Sequence, residues 1–447
     1  MTVTEKKTLC MNPGPIAFEQ EVLEAFAHEG ISHVDPYFID VFGNTLENMR
    51  KVFLAQDGQP LVVTGSGTLG WDMVASNLLE QGDDVLVINT GYFGDHFADC
   101  LTQYGANVTH LRAPVGSRPT IDELMKVLST PFKMVTITHV DTSTGVLANV
   151  AEYTATIRAA QPNALVVVDS VCALGGEEMR MKAWDVDVVV TGSQKCIGVP
   201  AGLSLLVIRP RALKVHEQLS STKPKYYCDW TNWLAIMKNY EARRPSYFAT
   251  PAVNHIFALN KAFEILLANG GMEKRFEEHR NLSAAIKDAI KTLGCGFVPA
   301  EGQAATTMTC VRFPKGISGP DLLPKVYARG VSLAGALHKD IKTEYFRIGH
   351  MGPSTRRLDH AIQTITAIEE ALVECGYAVP SPGKAVQGLK TALQGKIPLV
   401  PTSASSLGFH SKQGDCGCLF PLKCQFWTFG IVALSFAVGF LASTRRK

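Results

Sequence analysis

Between about residues 15 and 265, short unbroken apolar runs alternate with longer amphipathic ones. "PLVVT" leads into "TLGWDMVASNLLE" and "DDVLVINT" into "DHFADCLTQYG"; "MVTITHV", "ALVVVD", "DVVVTG" and "LSLLVIR" follow in turn. Val/Ile/Leu runs without polar alternation predict strands covered on both faces. With helices between them they predict a mainly parallel sheet, an α/β arrangement. "VNHIFALNKAFEILLANGG" then predicts a long helix ended by glycine.

The rhythm changes near residue 270. A charged helical stretch, "MEKRFEEHRNLSAAIKDAIKTLG", is followed by strand-like "TTMTCVRFP" and "YFRIGH" and a closing "RRLDHAIQTITAIEEALVECG", which predict a smaller C-terminal α+β domain. Pro380 to Lys423 is rich in Pro, Gly and Ser and reads as a linker with room for one short helix. Phe426 to Ala442 is uncharged and apolar all round, and "RRK" ends the chain. As a helix it would reach about 25 Å at roughly 1.5 Å per residue, so a C-terminal transmembrane helix is expected. The expected division is an N-terminal arm (1–20), a large domain (21–268), a small domain (269–378), a linker (379–425) and a tail anchor (426–443).

With 447 residues, 46% of them hydrophobic, the chain can bury a core large enough for two subdomains. A net charge of +2 gives no global electrostatic reason to expect nucleic acid. The 11 cysteines form no CxxC pair in the first 400 residues, which fits a reducing compartment and thiols used as small hydrophobes. The N-terminal "MTVTEKKTLCMNPGP" has neither a secretory nor an evident transit pattern. An anchor at the far end would therefore leave the main body facing the cytosol, on the mitochondrial outer membrane or the peroxisome.

"VVVTGSQKCIGVPAG" (Val188 to Gly202) places one ammonium group, Lys195, among valines and glycines. Burying a cation is costly unless it is paired or neutralised. Asp169 closes "ALVVVD", and parallel sheets bind ligands outside the carboxyl ends of their strands. An ion pair or a capped turn would explain either residue alone. A third strand end, "LVVTGSGT", sets backbone N–H groups and the hydroxyls of Ser66 and Thr68 at a helix start. That suits an anion but has neither P-loop nor dinucleotide spacing. A fourth, "VLVINTGYFGDHF", offers Tyr92 and Phe93, rings that alone would be core but beside the others suit stacking on a planar heteroaromatic. Lysine, aspartate, phosphate turn and ring together suit pyridoxal 5′-phosphate. A lysine that carries this cofactor covalently is no longer a buried ammonium.

Seven stretches, "TGSGT" (64–68), "GYFGD" (91–95), "HVDTSTGVL" (139–147), "VVVDSVCALGG" (166–176), "TGSQKCIGVPAG" (191–202), "YFAT" (247–250) and "YFRIGH" (345–350), make the chain resemble the class V, fold type I aminotransferases over about residues 8 to 375. The likeness is greatest to the alanine–glyoxylate and serine–pyruvate branch, in its fungal form. The resemblance implies a seven-stranded, mainly parallel sheet and a homodimer with shared active sites, with pyridoxal 5′-phosphate as cofactor and no metal. By position, Lys195 resembles the cofactor-bearing lysine and Asp169 the partner of the ring nitrogen. Ser66, Gly67 and Thr68 resemble the phosphate turn, Gln194 a further donor and Phe93 the stacking ring. Ser143 matches a serine near cofactor and substrate. Tyr247 and Thr250 match a pair that reaches the phosphate of the neighbouring subunit, and Arg347 matches the arginine that grips the substrate carboxylate. The family's "GPGP" reads "NPGP" here, Asn12 to Pro15.

The activity so implied is transamination between a small amino acid, alanine or serine, and a small 2-oxo acid, glyoxylate or pyruvate. Alanine:glyoxylate exchange leads that expectation. No arginine is evident for a distal carboxylate, although Arg243 and Arg244 are open candidates. Two other readings stand beside it: a cysteine desulfurase-like lyase, which would need a mobile nucleophilic thiol where Cys310 sits in a strand-like run, and a membrane-tethered adaptor without catalysis.

Overall fold

In the computed structural model, residues 8–219 and 225–397 are described. The apolar runs form a seven-stranded sheet, in spatial order Gln59–Thr64, Leu203–Ile208, Val188–Gly192, Leu165–Asp169, Met134–Thr138, Asp84–Asn89 and Asn107–Arg112. Only Leu203–Ile208 runs against its neighbours. Every residue of the 134–138, 165–169, 188–192 and 203–208 strands is buried, as unbroken hydrophobic runs require. Helices cover the sheet, and the strand ends at Thr64, Asn89, Thr138, Asp169 and Gly192 share one edge.

A second sheet, Gly296–Phe297, Met308–Arg312, Tyr345–Gly349 and Ala334–Gly335 in spatial order, is antiparallel throughout. Gly270, at φ 99°, turns the chain out of the Val253–Leu267 helix and into the long Gly271–Thr292 helix. That long helix serves two cores. Met272 and Phe276 pack with the large sheet, while Leu282, Ile286 and Ile290 pack with the second. The N-terminal strand Leu9–Cys10 pairs with Val331–Ser332, and Met11 O accepts from Gly349 N at 2.7 Å.

Beside the large sheet, Arg158 clamps a buried carboxylate. Its guanidinium reaches Asp187 Oδ2 at 2.5 Å and Asp185 Oδ2 at 2.7 Å, and Asp187, with a side chain 1% exposed, also meets Arg211 at 2.9 Å. Asp187 further accepts from Val166 N, so this cluster ties the start of one central strand to its neighbour.

The stretch read as linker with room for one short helix holds the Lys384–Leu393 helix, which buries Ala385, Leu389 and Leu393 in the second core. The expected transmembrane element is corrected: among the described residues no helix is long and apolar enough to cross a membrane. The longest, Gly271–Thr292, alternates charged and apolar residues and packs within the protein. The run 426–442 lies outside the described residues.

Candidate active site

At the shared strand edge lies a cavity of about 230 Å³. Lys195, Asp169, Ser66, Gly67, Thr68, Phe93 and Gln194, singled out from four separate stretches, all line it. Parallel strands bring them together because each stretch follows a carboxyl end.

Lys195 follows the Val188–Gly192 strand and is 7% exposed. Its Nζ donates to Pro13 O, in the "NPGP" lip. Gly14 passes so close that an added Cβ would stand 2.5 Å from Lys195 Cε and 2.7 Å from Nζ. Its φ of 121° also favours glycine.

Asp169 ends its strand 3% exposed. Oδ1 accepts from Val171 N at 2.9 Å and Oδ2 from Trp71 Nε1 at 3.1 Å. Burial pushes its pKa up to about 6, against the pull of Val171 N–H, Trp71 and Lys195. A carboxylate kept at this cost in a cavity beside a lysine suits a cationic ring nitrogen.

The Ser66–Thr68 turn leads into the Leu69–Leu78 helix. Gly67 is pressed against the neighbouring loop: a Cβ there would lie 2.9 Å from Val171 Cγ2. Phe93 opens the Tyr92–Gln103 helix, and its N–H donates to Asp141 Oδ2 at 3.0 Å, as Gly94 N does at 3.3 Å. Asp141 is completely buried, and burial raises its pKa. A half-buried ring, a tight phosphate-type turn and a Lys–Asp pair fit pyridoxal 5′-phosphate.

Other expected residues sit differently. Ser143 does not line the cavity; its hydroxyl donates to Asp141 Oδ1 at 2.5 Å and accepts from Tyr92 N at 3.0 Å, and Thr142 takes its place in the wall. Arg347 lies on the Tyr345–Gly349 strand, where Nε donates to Gly335 O at 2.7 Å and a terminal nitrogen to Thr142 O at 3.3 Å. It therefore touches the cavity wall through Thr142. Tyr345 OH donates to Ser143 O, tying the second sheet to the same turn. Tyr247, 63% exposed, stands 3.4 Å from Thr250 through their hydroxyls, and neither lines the cavity. Arg243 is committed to Asp40 at 3.0 Å and Glu47 at 2.9 Å. Cys310 is fully buried in its strand, and burial pushes its thiol far up, the opposite of a mobile nucleophile.

Sequence reasoning missed Trp71 and Asp141, and noted the "NPGP" stretch without placing it against Lys195. Trp71 sits in an amphipathic run and reads as helix core. A larger cleft, about 820 Å³, is walled by Glu19, Arg275, Glu278 and Arg356, whose charges pair with one another.

The sequence pattern of the Aminotransferase class-V family matches residues 18–336. Alanine–glyoxylate aminotransferase 1 of Saccharomyces cerevisiae is 36% identical over 371 residues, covering 78% of this chain and 93% of its own. Serine–glyoxylate aminotransferase of Arabidopsis thaliana is 27% identical, covering 86% and 96%. The solved ureidoglycine–glyoxylate aminotransferase of Bacillus subtilis superposes with a TM-score of 0.81 at 25% identity, over 88% of this chain and all of its own. Sequence pattern, close relative and superposed fold all run through the same strand edge, and the chain belongs to the class-V aminotransferases.

Proposed function

We propose that this protein moves the amino group of L-alanine to glyoxylate, giving pyruvate and glycine. Enzymes of this family depend on pyridoxal 5′-phosphate, and the observation that carries the reading is Lys195 and Asp169 at neighbouring strand ends of one buried cavity. The alanine–glyoxylate pair is supported by the Saccharomyces cerevisiae relative. When bound, the cofactor supplies an electron-withdrawing ring that accepts the pair left at the substrate Cα.

The protein's own groups do the rest. Lys195 would hold the cofactor, and its Nζ would serve as the base that takes the Cα proton of the amino acid. Asp169 keeps positive charge on the ring nitrogen. Ser66, Gly67 and Thr68 hold the phosphate with Gln194 as a further donor, and Phe93 covers one ring face. Arg347, its fork oriented by two carbonyls, grips the α-carboxylate. Ser143 acts through Asp141 on the turn that carries Phe93. Tyr247 and Thr250, exposed and not lining their own cavity, would serve the partner's phosphate in a homodimer. Arg243 is held by two carboxylates and so is not available to a second acidic group of a donor.

The test is a donor panel against glyoxylate with cofactor-loaded protein, read as glycine formed. Alanine is expected to give the highest kcat/KM. Serine as the best donor would favour the reading supported by the Arabidopsis thaliana relative. Absence of glycine with every donor would overturn both.

A further inference from the structure

Trp71 links three parts of the site. It lies three residues beyond the phosphate turn, with its N–H bonded to Thr68 O at 3.0 Å. Its ring stacks on Phe97 at 5.2 Å and 12°, on the helix that Phe93 opens. Its indole N–H donates to Asp169 Oδ2 at 3.1 Å, while the other carboxylate oxygen accepts from Val171 N at 2.9 Å. A carboxylate turns easily about its last bond, where the torsional wells are broad. One donor on each oxygen fixes its plane; Val171 N–H alone does not.

We propose that Trp71 is a positioning residue for the cofactor: its indole N–H fixes Asp169 in the plane, and in the ionised form, in which the carboxylate meets the ring nitrogen. This rests on the assignment of Asp169 to that nitrogen. A purely structural role, in which the tryptophan only fills the space between two helices and satisfies its own N–H, is the competing account. The two differ in what happens to Asp169. Its surroundings oppose ionisation: it is buried, and Asp141 adds a like charge. Lys195 is the opposing cation, Cys172 carries a thiol that burial keeps protonated, and His139, whose N–H bonds Asp169 O, is kept neutral by burial. Losing a donor to a charged group therefore leaves Asp169 easier to protonate and free to rotate.

The test compares wild type with Trp71→Phe, which keeps a ring to stack on Phe97 and removes the N–H. Cofactor affinity is followed from pH 5 to 8 by titrating apoprotein with pyridoxal 5′-phosphate and reading the visible band. Expected are about tenfold weaker binding at neutral pH and an acid limb moved to higher pH, with the apoprotein's unfolding midpoint changed little. Site-specific 3-benzothienylalanine at position 71 keeps the shape of indole without its N–H. It should reproduce both effects, and it carries the comparison if Trp71→Phe does not fold. A substituted protein whose affinity and acid limb match wild type overturns the role of Trp71. A wild type that takes up no cofactor overturns the assignment beneath it.

Discussion

Gly14→Ala separates the cost of folding the lip from the cost of crowding the lysine. The added methyl would lie 2.5 Å from Lys195 Cε and 2.7 Å from Nζ, where ordinary contact begins at 3.4 Å. Lys195 must retreat by about 1 Å, and a misplacement of that size costs about 100-fold in rate, about 2.7 kcal/mol. Alanine at a φ of 121° adds about 1–2 kcal/mol of backbone strain. Gly82→Ala is the control: its φ is 88°, and nothing lies within 4 Å of the added Cβ. Both variants should lose similar stability in denaturant, because a lysine tip swings aside cheaply. Only Gly14→Ala should lose about two decades of kcat/KM for alanine and glyoxylate. Borohydride trapping followed by peptide mass spectrometry should show its cofactor adduct on Lys195 reduced as well. If Gly14→Ala keeps kcat/KM within a factor of about three of Gly82→Ala, the lip does not position the lysine.

Three further outcomes follow from the same contacts. Arg347→Lys keeps the charge and loses the fork, so kcat/KM for alanine should fall about tenfold or more with cofactor affinity retained; unchanged kinetics would place the carboxylate grip elsewhere. Asp169 holds its proton to about pH 6 when folded but only to its ordinary 3.8 when unfolded. The folded apoprotein thus binds more protons between these values, and this group removes up to about 3 kcal/mol of stability as pH rises from about 4 to 6. Apo Asp169→Asn should therefore gain on wild type across that window in chemical denaturation, and a flat difference would refute the assignment. Arg158→Met strands Asp187 beside Arg211 alone and should cost about 3 kcal/mol by urea unfolding, with kcat at low temperature unchanged; a loss below about 1 kcal/mol would show the clamp is dispensable.

Which parts could be read in advance follows from how locally each is encoded. Fully buried strands write themselves as valine runs, so the sheet and the strand-end positions of Lys195 and Asp169 were legible. The Ser66–Thr68 turn and Phe93 were found because each follows such a strand, and Gln194 through the family resemblance. Trp71 was not, because its indole meets Asp169 across 98 positions of sequence and its own surroundings look like any helix core. Asp141 hid for the same reason: its partners Phe93 and Gly94 lie 48 and 47 positions away. The short helix allowed for in the linker stretch is Lys384–Leu393; what Gly388 and the prolines before it hid was that Ala385, Leu389 and Leu393 bind it to the second core. Ser143 was singled out by motif alone, and its bond to Asp141 two positions away was not foreseen.

The short turn between Val140 and Leu147 bears on how such an enzyme can change. Its backbone carbonyls at Thr142 and Ser143 receive Arg347 and Tyr345, while Asp141 beneath them anchors the residues that carry Phe93. With the roles proposed for Arg347 and Phe93, one loop would couple the recognition of the amino acid to the seating of the cofactor. A mutation there that widened substrate choice would loosen the cofactor in the same step. New specificities are accordingly more accessible from the Ala334–Gly335 side of Arg347, where Gly335 O meets Nε and no cofactor wall is shared. Libraries aimed at other amino donors should diversify that side and leave 140–147 fixed.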